Sequence, residues 1–264
     1  WPCAWGLTIS YDFSQEIDKF LFHLILFLCG AILMRSAGCI VNDIIDKKFD
    51  QKVSRTKNRP IASEKISIYL GLLYATILCL IALCVLINFN NLTIFLALIS
   101  MPLAFTYPLM KRYTYWPQLF LGITFNYGLI LGWTSITNEI NFEPIVLYLG
   151  AIFWTLAYDT IYGFQDIKDD EIIGLKSTSI KFKNNPYIFL KLCYSFFLVS
   201  LIIVGFFLNF NKIYFICLTL VALQMYYFQI FKLNVDNPNI CLKIFKSNNF
   251  LGLLIFVILL VGKY

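Results

Sequence analysis

Long apolar runs recur along the whole chain and constrain its fold more than any other feature. The runs lie near residues 19–41, 66–87, 92–110, 116–136, 144–165, 187–208, 212–231 and 243–262. A helix needs about 20 mostly apolar residues to cross about 30 Å of hydrocarbon, because it rises about 1.5 Å per residue. Residues 1–10 are predicted to be the end of one more such helix, truncated at its start. The chain is therefore predicted to be an all-α, polytopic membrane helical bundle of about nine transmembrane helices.

The composition excludes an ordinary soluble domain. Of the 264 residues, 59% are hydrophobic and only 14% are charged, whereas soluble globular chains carry about 25% charged residues. The net charge of +6 lies in short loops between apolar runs, without the basic and aromatic patch that nucleic acid requires. We therefore expect membrane lipid as a partner and no nucleic acid. Since no linker interrupts the pattern, residues 1–264 are predicted to form a single transmembrane domain.

The charges of the loops alternate along the chain and predict its orientation. Sixteen of the 21 Lys and Arg residues lie in every second loop, and the loops at 11–18, 88–91, 137–143 and 209–211 contain none. By the positive-inside rule, the basic loops face the cytoplasm. We expect an integral protein of the bacterial inner membrane with its active site at the cytoplasmic face, or alternatively of the mitochondrial inner membrane.

Two acidic segments lie on this basic face, NDIIDKKFD at 42–50 and DIKDD at 166–170. Positions four apart on a helix differ by about 40° and therefore share a face. The predicted stripes are Asn42, Asp46 and Asp50 on one helix end, and Asp166 and Asp170 on the other.

Each stripe has a further charged residue deeper in its predicted helix. Seven residues correspond to about two turns with an offset of only about 20°. Arg35 is therefore predicted to lie above Asn42, and Asp159 above Asp166. Charged side chains inside a membrane are costly and usually functional.

Four carboxylates facing one cavity would repel one another unless positive charge lay between them. Oxygen ligands select hard cations, and one or two carboxylates with substrate phosphates are a usual arrangement for Mg²⁺. The pattern favours Mg²⁺ and a diphosphate, with basic side chains completing the charge balance. The candidates for these side chains are Arg55, Arg59, Lys111 and Lys176.

Two other interpretations stay open at this point. The acidic residues would be no more than solvated helix ends in a structural membrane protein. In a secondary transporter, Arg35 and Asp159 would form an ion path, and the similar helix ends would reflect an internal repeat.

Three segments resemble signatures of the UbiA prenyltransferase superfamily. Residues 34–60, MRSAGCIVNDIIDKKFDQKVSRTKNRP, are similar to its NDxxDxxxD motif followed by RTxxRP. Residues 107–112, YPLMKR, resemble its YPxxKR loop, and residues 158–179, YDTIYGFQDIKDDEIIGLKSTS, resemble its second Asp motif. The resemblance covers essentially the whole chain and is greatest to the 4-hydroxybenzoate polyprenyltransferase branch, which acts in ubiquinone biosynthesis.

The resemblance implies a Mg²⁺-dependent prenyltransferase that moves a polyprenyl group from polyprenyl diphosphate to the ring of an aromatic acid, 4-hydroxybenzoate. The implied Mg²⁺ ligands are Asn42, Asp46, Asp166 and Asp170, with Asp43 and Asp50 in support. The implied diphosphate contacts are Tyr107 and Lys111, with Arg59 nearby. Asp159 would lie near the reacting centre. Together with the implied metal ligands Asp46 and Asp166, it forms the predicted set of catalytic residues.

Two roles concern the aromatic acceptor. Asp159 would accept the ring proton or hold the phenol, and Arg35 would bind the carboxylate. Within the same class of enzyme, the acceptor could instead be a haem, a naphthoate or homogentisate, and the transferred group could be phosphoribose.

Overall fold

The computed structural model describes residues 1–15, 17–53 and 56–263, and the regular elements in this part of the chain are helices. Numbered along the chain, they are α1 Pro2–Ser10, α2 Ile17–Asp50, α3 Ile68–Leu86, α4 Asn91–Thr106, α5 Met110–Tyr113, α6 Pro117–Asn126, α7 Gly128–Thr137, α8 Phe142–Gly163, α9 Ile167–Ile173, α10 Thr178–Lys181, α11 Pro186–Phe207, α12 Lys212–Leu223 and α13 Pro238–Lys263. A 3₁₀ turn, Tyr107–Leu109, joins α4 to α5, and a π-helix, Gln224–Phe231, continues α12.

The predicted membrane fold is confirmed. Within the described ranges, eight helical segments are long and apolar enough to cross a membrane. They are Ile17–Asp50, Ile68–Leu86, Asn91–Tyr113, Pro117–Thr137, Phe142–Gly163, Pro186–Phe207, Lys212–Phe231 and Pro238–Lys263. The nine residues of α1 precede them. The chain is an integral membrane protein.

The length of α2 explains how an acidic segment reaches the membrane edge without a loop. At about 1.5 Å per residue, its 34 residues measure about 51 Å, well beyond the hydrocarbon thickness of about 30 Å. The last turns of α2, which carry Asn42 to Asp50, therefore extend past the apolar layer.

Several of the predicted spans depart from a regular α-helix. Pro102 lies inside α4 and cannot donate a backbone hydrogen bond. The span 117–137 breaks at Tyr127, between α6 and α7. Beside that break, the buried Asn126 amide donates to the Ala151 carbonyl at 3.0 Å and to the Thr155 hydroxyl at 2.7 Å. A side chain thus ties the interrupted helix to α8 at membrane depth.

Glycines allow α1 to pack closely against α7. A Cβ atom at Gly132 would lie 2.3 Å from the Cys3 carbonyl oxygen, and one at Gly6 would lie 2.0 Å from the Leu129 carbonyl oxygen. Small residues four apart, here Gly128 and Gly132, are a common device for close helix contacts in membranes. The short α1 is thereby held against the bundle.

We expect the Gly132→Ala substitution to destabilise the protein by about 1–3 kcal/mol, because backbone atoms of α1 must move to admit the methyl group. Gly38→Ala is the matched control, since a Cβ at Gly38 meets no atom within 4 Å. Thermal unfolding in detergent measures the effect. A lower melting temperature for Gly132→Ala alone is expected, and equal melting temperatures would contradict this packing.

Candidate active site

A cavity of about 310 Å³ brings the predicted site residues together. Its lining includes Arg35, Asn42, Asp46, Asp50, Arg59, Tyr107, Lys111, Asp159, Asp166, Asp170 and Lys176. Two predicted residues are missing from this set. Asp43 does not line the cavity, and Arg55 lies outside the described residues.

Asp46 is the most enclosed carboxylate of the cavity, with only 2% of its surface exposed. The Lys111 ammonium donates to its Oδ2 atom, and Nη2 of Arg112 lies 3.6 Å from its Oδ1 atom. Within the described part of the chain, Oδ1 has no hydrogen-bond partner. Two consecutive basic residues therefore balance one buried acidic group.

Arg59 joins two other carboxylates of α2. Its Nη1 atom donates to Asp43 Oδ1 at 2.9 Å and to Asp50 Oδ2 at 3.1 Å. Asp43 does not line the cavity itself, but it pairs with Arg59, which does. The prediction that Asp43 supports a metal site remains a prediction, and its observed contact is with Arg59.

A hydrogen bond and an ion pair hold the loop that carries Arg59 against the end of α2. The Gln51 amide donates to the Ala62 carbonyl at 3.0 Å, and Lys47 pairs with Glu64 at 2.8 Å. Glu64 has a left-handed backbone, with φ of 62°. Its hydrogen bond with Lys47 and the lysine's charge lower the pKa of Glu64. These contacts place Arg59 over the acidic stripe.

The predicted stripe of Asn42, Asp46 and Asp50 lies within one continuous helix, as expected. The prediction that Asp159 and Asp166 share a helix is wrong. α8 ends at Gly163, and Asp166 is the N-cap residue of the separate helix α9. Gly163 packs closely on α10, since a Cβ there would lie 2.2 Å from Ser179 Oγ. Both Asp residues line the cavity through this turn rather than through helical periodicity.

The loop after α9 brings Lys176 beside Lys111. Gly174 ends α9 in the left-handed region, with φ of 79°, which a glycine adopts without strain. The Lys176 amide then donates to the Lys111 carbonyl at 2.9 Å, and its ammonium donates to the Tyr113 carbonyl at 3.2 Å. Buried Gln118 accepts a hydrogen bond from the Thr178 amide at 3.0 Å. The loop is thereby fixed along the cavity.

The deeper part of the cavity holds one cationic and one anionic group. The Arg35 guanidinium lies 4.8 Å from the centre of the Phe125 ring, and it interacts electrostatically with Asp159. The Tyr107 ring meets Phe125 edge-on, with ring centres 5.7 Å apart. Opposite charges next to aromatic rings suit a small polar ligand at this depth.

Two residues that support the site were not among those predicted from the sequence. Arg112 follows Lys111 in the YPLMKR segment, so the motif offered a signal for it. Gln118 offered none, because its partner is a backbone amide 60 residues away.

The cavity suits Mg²⁺ only together with a phosphate ligand. In the described ranges, no group of three or more His, Cys, Asp or Glu side chains could hold a metal ion. Mg²⁺ commonly binds one or two carboxylates and completes its shell with substrate phosphates and waters. The buried Oδ1 atom of Asp46 and the carboxylates of Asp166 and Asp170 in the same cavity fit that shared arrangement.

Fold and cavity together define a polytopic membrane protein with a charged pocket at one end of the bundle. The model of the UbiA prenyltransferase family matches residues 1–255. The chain belongs to this family.

Similar proteins include a mitochondrial 4-hydroxybenzoate polyprenyltransferase from Drosophila pseudoobscura pseudoobscura, which is 41% identical over 99% of this chain. The chain spans 66% of the length of that relative. The 4-hydroxybenzoate geranyltransferase 2 of Lithospermum erythrorhizon is 38% identical, with 100% of this chain and 85% of that protein covered.

Among solved structures, a UbiA homologue from Archaeoglobus fulgidus bound to GPP and Mg²⁺ superposes with a TM-score of 0.68. The match covers 97% of this chain and 93% of that chain at 18% identity. At this identity the likeness supports the fold alone.

Proposed function

We propose that this chain transfers a prenyl group from a prenyl diphosphate to a ring carbon of 4-hydroxybenzoate, with Mg²⁺ as the cofactor. One observation carries the proposal: the acidic residues of α2 and α9 and the lysines beside them line a single cavity. The 38–41% identity to 4-hydroxybenzoate transferases supports the choice of acceptor. On this proposal, residues 1–264 act as one prenyltransferase domain.

Asn42, Asp46, Asp166 and Asp170 would hold Mg²⁺, with Asp50 and Asp43 in support. When bound, Mg²⁺ supplies Lewis-acid stabilisation of the departing diphosphate. The carboxylates of Asp46 and Asp50 are positioned in advance, because both lie on one continuous helix and are paired with Lys111 and Arg59.

Basic side chains would bind the diphosphate and stabilise its growing negative charge. Lys111 and Lys176 approach from one side of the cavity, and Arg59 approaches from the loop after α2. Tyr107 would donate a hydrogen bond from its hydroxyl. Arg55 completes the predicted set, although it lies outside the described residues. Fixed donors aimed at developing charge are usually the largest single contribution to catalysis.

The acceptor would lie deeper than the diphosphate. Arg35 would bind its carboxylate, and Asp159 would face the ring. The allylic C–O bond of the prenyl diphosphate breaks, and a C–C bond forms ortho to the phenol oxygen. The ring proton then passes to the Asp159 carboxylate. Both charged groups line the same cavity as Asp46 and Asp166.

The prenyl chain would lie between helices and extend into lipid. The cavity volume of about 310 Å³ is at the lower end for small-molecule sites, which suits a diphosphate and one aromatic ring.

We expect the basic face to lie in the cytoplasm of a bacterium or in the mitochondrial matrix. Exclusion of water inside the bilayer protects the reactive allylic cation.

Product analysis tests this proposal directly. Membranes containing the chain are incubated with Mg²⁺, 4-hydroxybenzoate and a mixture of prenyl diphosphates of different lengths. We expect C-prenylated 4-hydroxybenzoate by mass spectrometry, and the length distribution identifies the donor. Parallel reactions offer a naphthoate or homogentisate. A product from one of these alone would reassign the acceptor, and uptake without any covalent product would favour a transporter.

A further inference from the structure

Arg112 makes three contacts with a single turn of α2. Its Nη2 atom donates to the Ile45 carbonyl at 2.7 Å and lies 3.6 Å from Asp46 Oδ1. The guanidinium carbon also lies 5.0 Å from the centre of the Phe49 ring. Arg112 therefore joins α5 to the acidic end of α2 around Asp46.

Lys111 and Arg112 contact Asp46 in different ways. Lys111 is a flexible point charge that binds the Oδ2 atom directly. Arg112 has a rigid planar group that is anchored independently, by a carbonyl oxygen and an aromatic ring. Its 3.6 Å distance from Oδ1 is that of an ion pair rather than a hydrogen bond. Arg112 therefore leaves the hydrogen-bonding positions of Oδ1 open.

These different anchors suggest a division of roles once a diphosphate is present. A phosphate oxygen would compete with Asp46 for Lys111, because Asp46 is the side chain of α2 that the Lys111 ammonium contacts in the described part of the chain. Arg112 would stay, because its bonds to Ile45 and Phe49 do not involve the ligand. The buried charge of Asp46 would then still have a counterion.

We propose that Arg112 is a positioning residue, which fixes the Asp46 carboxylate for divalent-cation binding while Lys111 moves between Asp46 and the diphosphate. This inference rests on the proposed function. Arg112 itself does not line the cavity, so it acts through Asp46 rather than on the substrate.

The Arg112→Lys substitution separates geometry from charge. Lysine keeps the positive charge but lacks the planar group that reaches the Ile45 carbonyl and Asp46 together. Partners that orient metal ligands typically contribute about 10- to 100-fold to metal affinity. We therefore expect Arg112→Lys and Arg112→Met each to weaken Mn²⁺ binding by about 10-fold or more. Affinity for a prenyl thiodiphosphate at saturating Mn²⁺ should change little.

The test uses the full chain purified in detergent and a Mn²⁺ titration followed by electron paramagnetic resonance, with a prenyl thiodiphosphate present. Lys48→Met is the matched control, because Lys48 lies near Asp46 on α2 but is exposed and does not line the cavity. Phe49→Leu removes the ring beneath the guanidinium, keeps an apolar side chain in the cavity lining, and should weaken Mn²⁺ binding by about 2- to 5-fold. It gives a second test if Arg112→Lys fails to fold.

Weaker Mn²⁺ binding in Arg112→Lys, or in Phe49→Leu, with Lys48→Met unchanged would support the proposal. Wild-type Mn²⁺ affinity in these variants would overturn it and leave the proposed function standing. If the wild-type chain binds no Mn²⁺ with the thiodiphosphate, the proposed function and this inference both fail.

Discussion

Asp46→Ala is expected to lower the rate of Mg²⁺-dependent prenyl transfer by about 1000-fold. Asp46 is almost fully buried at the cavity, and it is contacted by both Lys111 and Arg112. Its removal takes away a proposed metal ligand and leaves two basic groups without their counterion. Affinity for Mn²⁺ should fall together with the rate.

Activity in membranes, normalised to the amount of folded protein, measures this effect. Asp166→Ala should give a similar loss, because Asp166 lines the same cavity. Asp169→Ala is the control, since Asp169 belongs to α9 but does not line the cavity. Mg²⁺-dependent activity that persists in Asp46→Ala or Asp166→Ala would disprove the proposed mechanism.

Asp159→Asn is expected to lower prenyl transfer by about 100- to 10,000-fold, which is the usual contribution of a general base. Asparagine keeps the size of the side chain but cannot accept the ring proton. Because Asp159 lies on α8, apart from the acidic segment that ends in Asp170, Mn²⁺ and prenyl thiodiphosphate should bind with unchanged affinity. Loss of transfer without loss of donor binding distinguishes this variant from Asp46→Ala.

The measurement pairs single-turnover product formation with donor binding. Asp236→Asn is the control, because Asp236 is exposed and does not line the cavity. Full transfer activity in Asp159→Asn would remove Asp159 from the reaction. Equal loss of transfer and of donor binding would instead assign Asp159 to the diphosphate part of the site.

Helical periodicity predicted the α2 half of the site because α2 is a single uninterrupted helix. The offsets that relate Arg35, Asn42, Asp46 and Asp50 hold along its 34 residues. The same reasoning was wrong for the other half, where α8 stops at Gly163. The cause is tertiary, since Gly163 packs against Ser179 and the chain turns before Asp166. Periodicity in one segment carries no information about such a contact.

The sequence also showed which side chains were charged but not how they pair. Charge balance predicted that Arg59 and Lys111 would lie near the acidic residues, and the structure brings them there. It could not predict that Arg59 would bridge Asp43 and Asp50, because loop geometry decides this contact. Arg112 was missed for a similar reason. Its position depends on the Ile45 carbonyl and the Phe49 ring. These groups are uncharged, so an argument from charge balance does not include them.

A structure of the full chain with Mn²⁺ and a prenyl thiodiphosphate tests the central claim most directly. Anomalous scattering locates the Mn²⁺ ions independently of the side chains. We predict that Mn²⁺ and the diphosphate lie in the cavity lined by Asp46 and Asp166, in contact with both acidic segments. Mn²⁺ bound away from this cavity, or a diphosphate that contacts only one of the two acidic segments, would contradict the account.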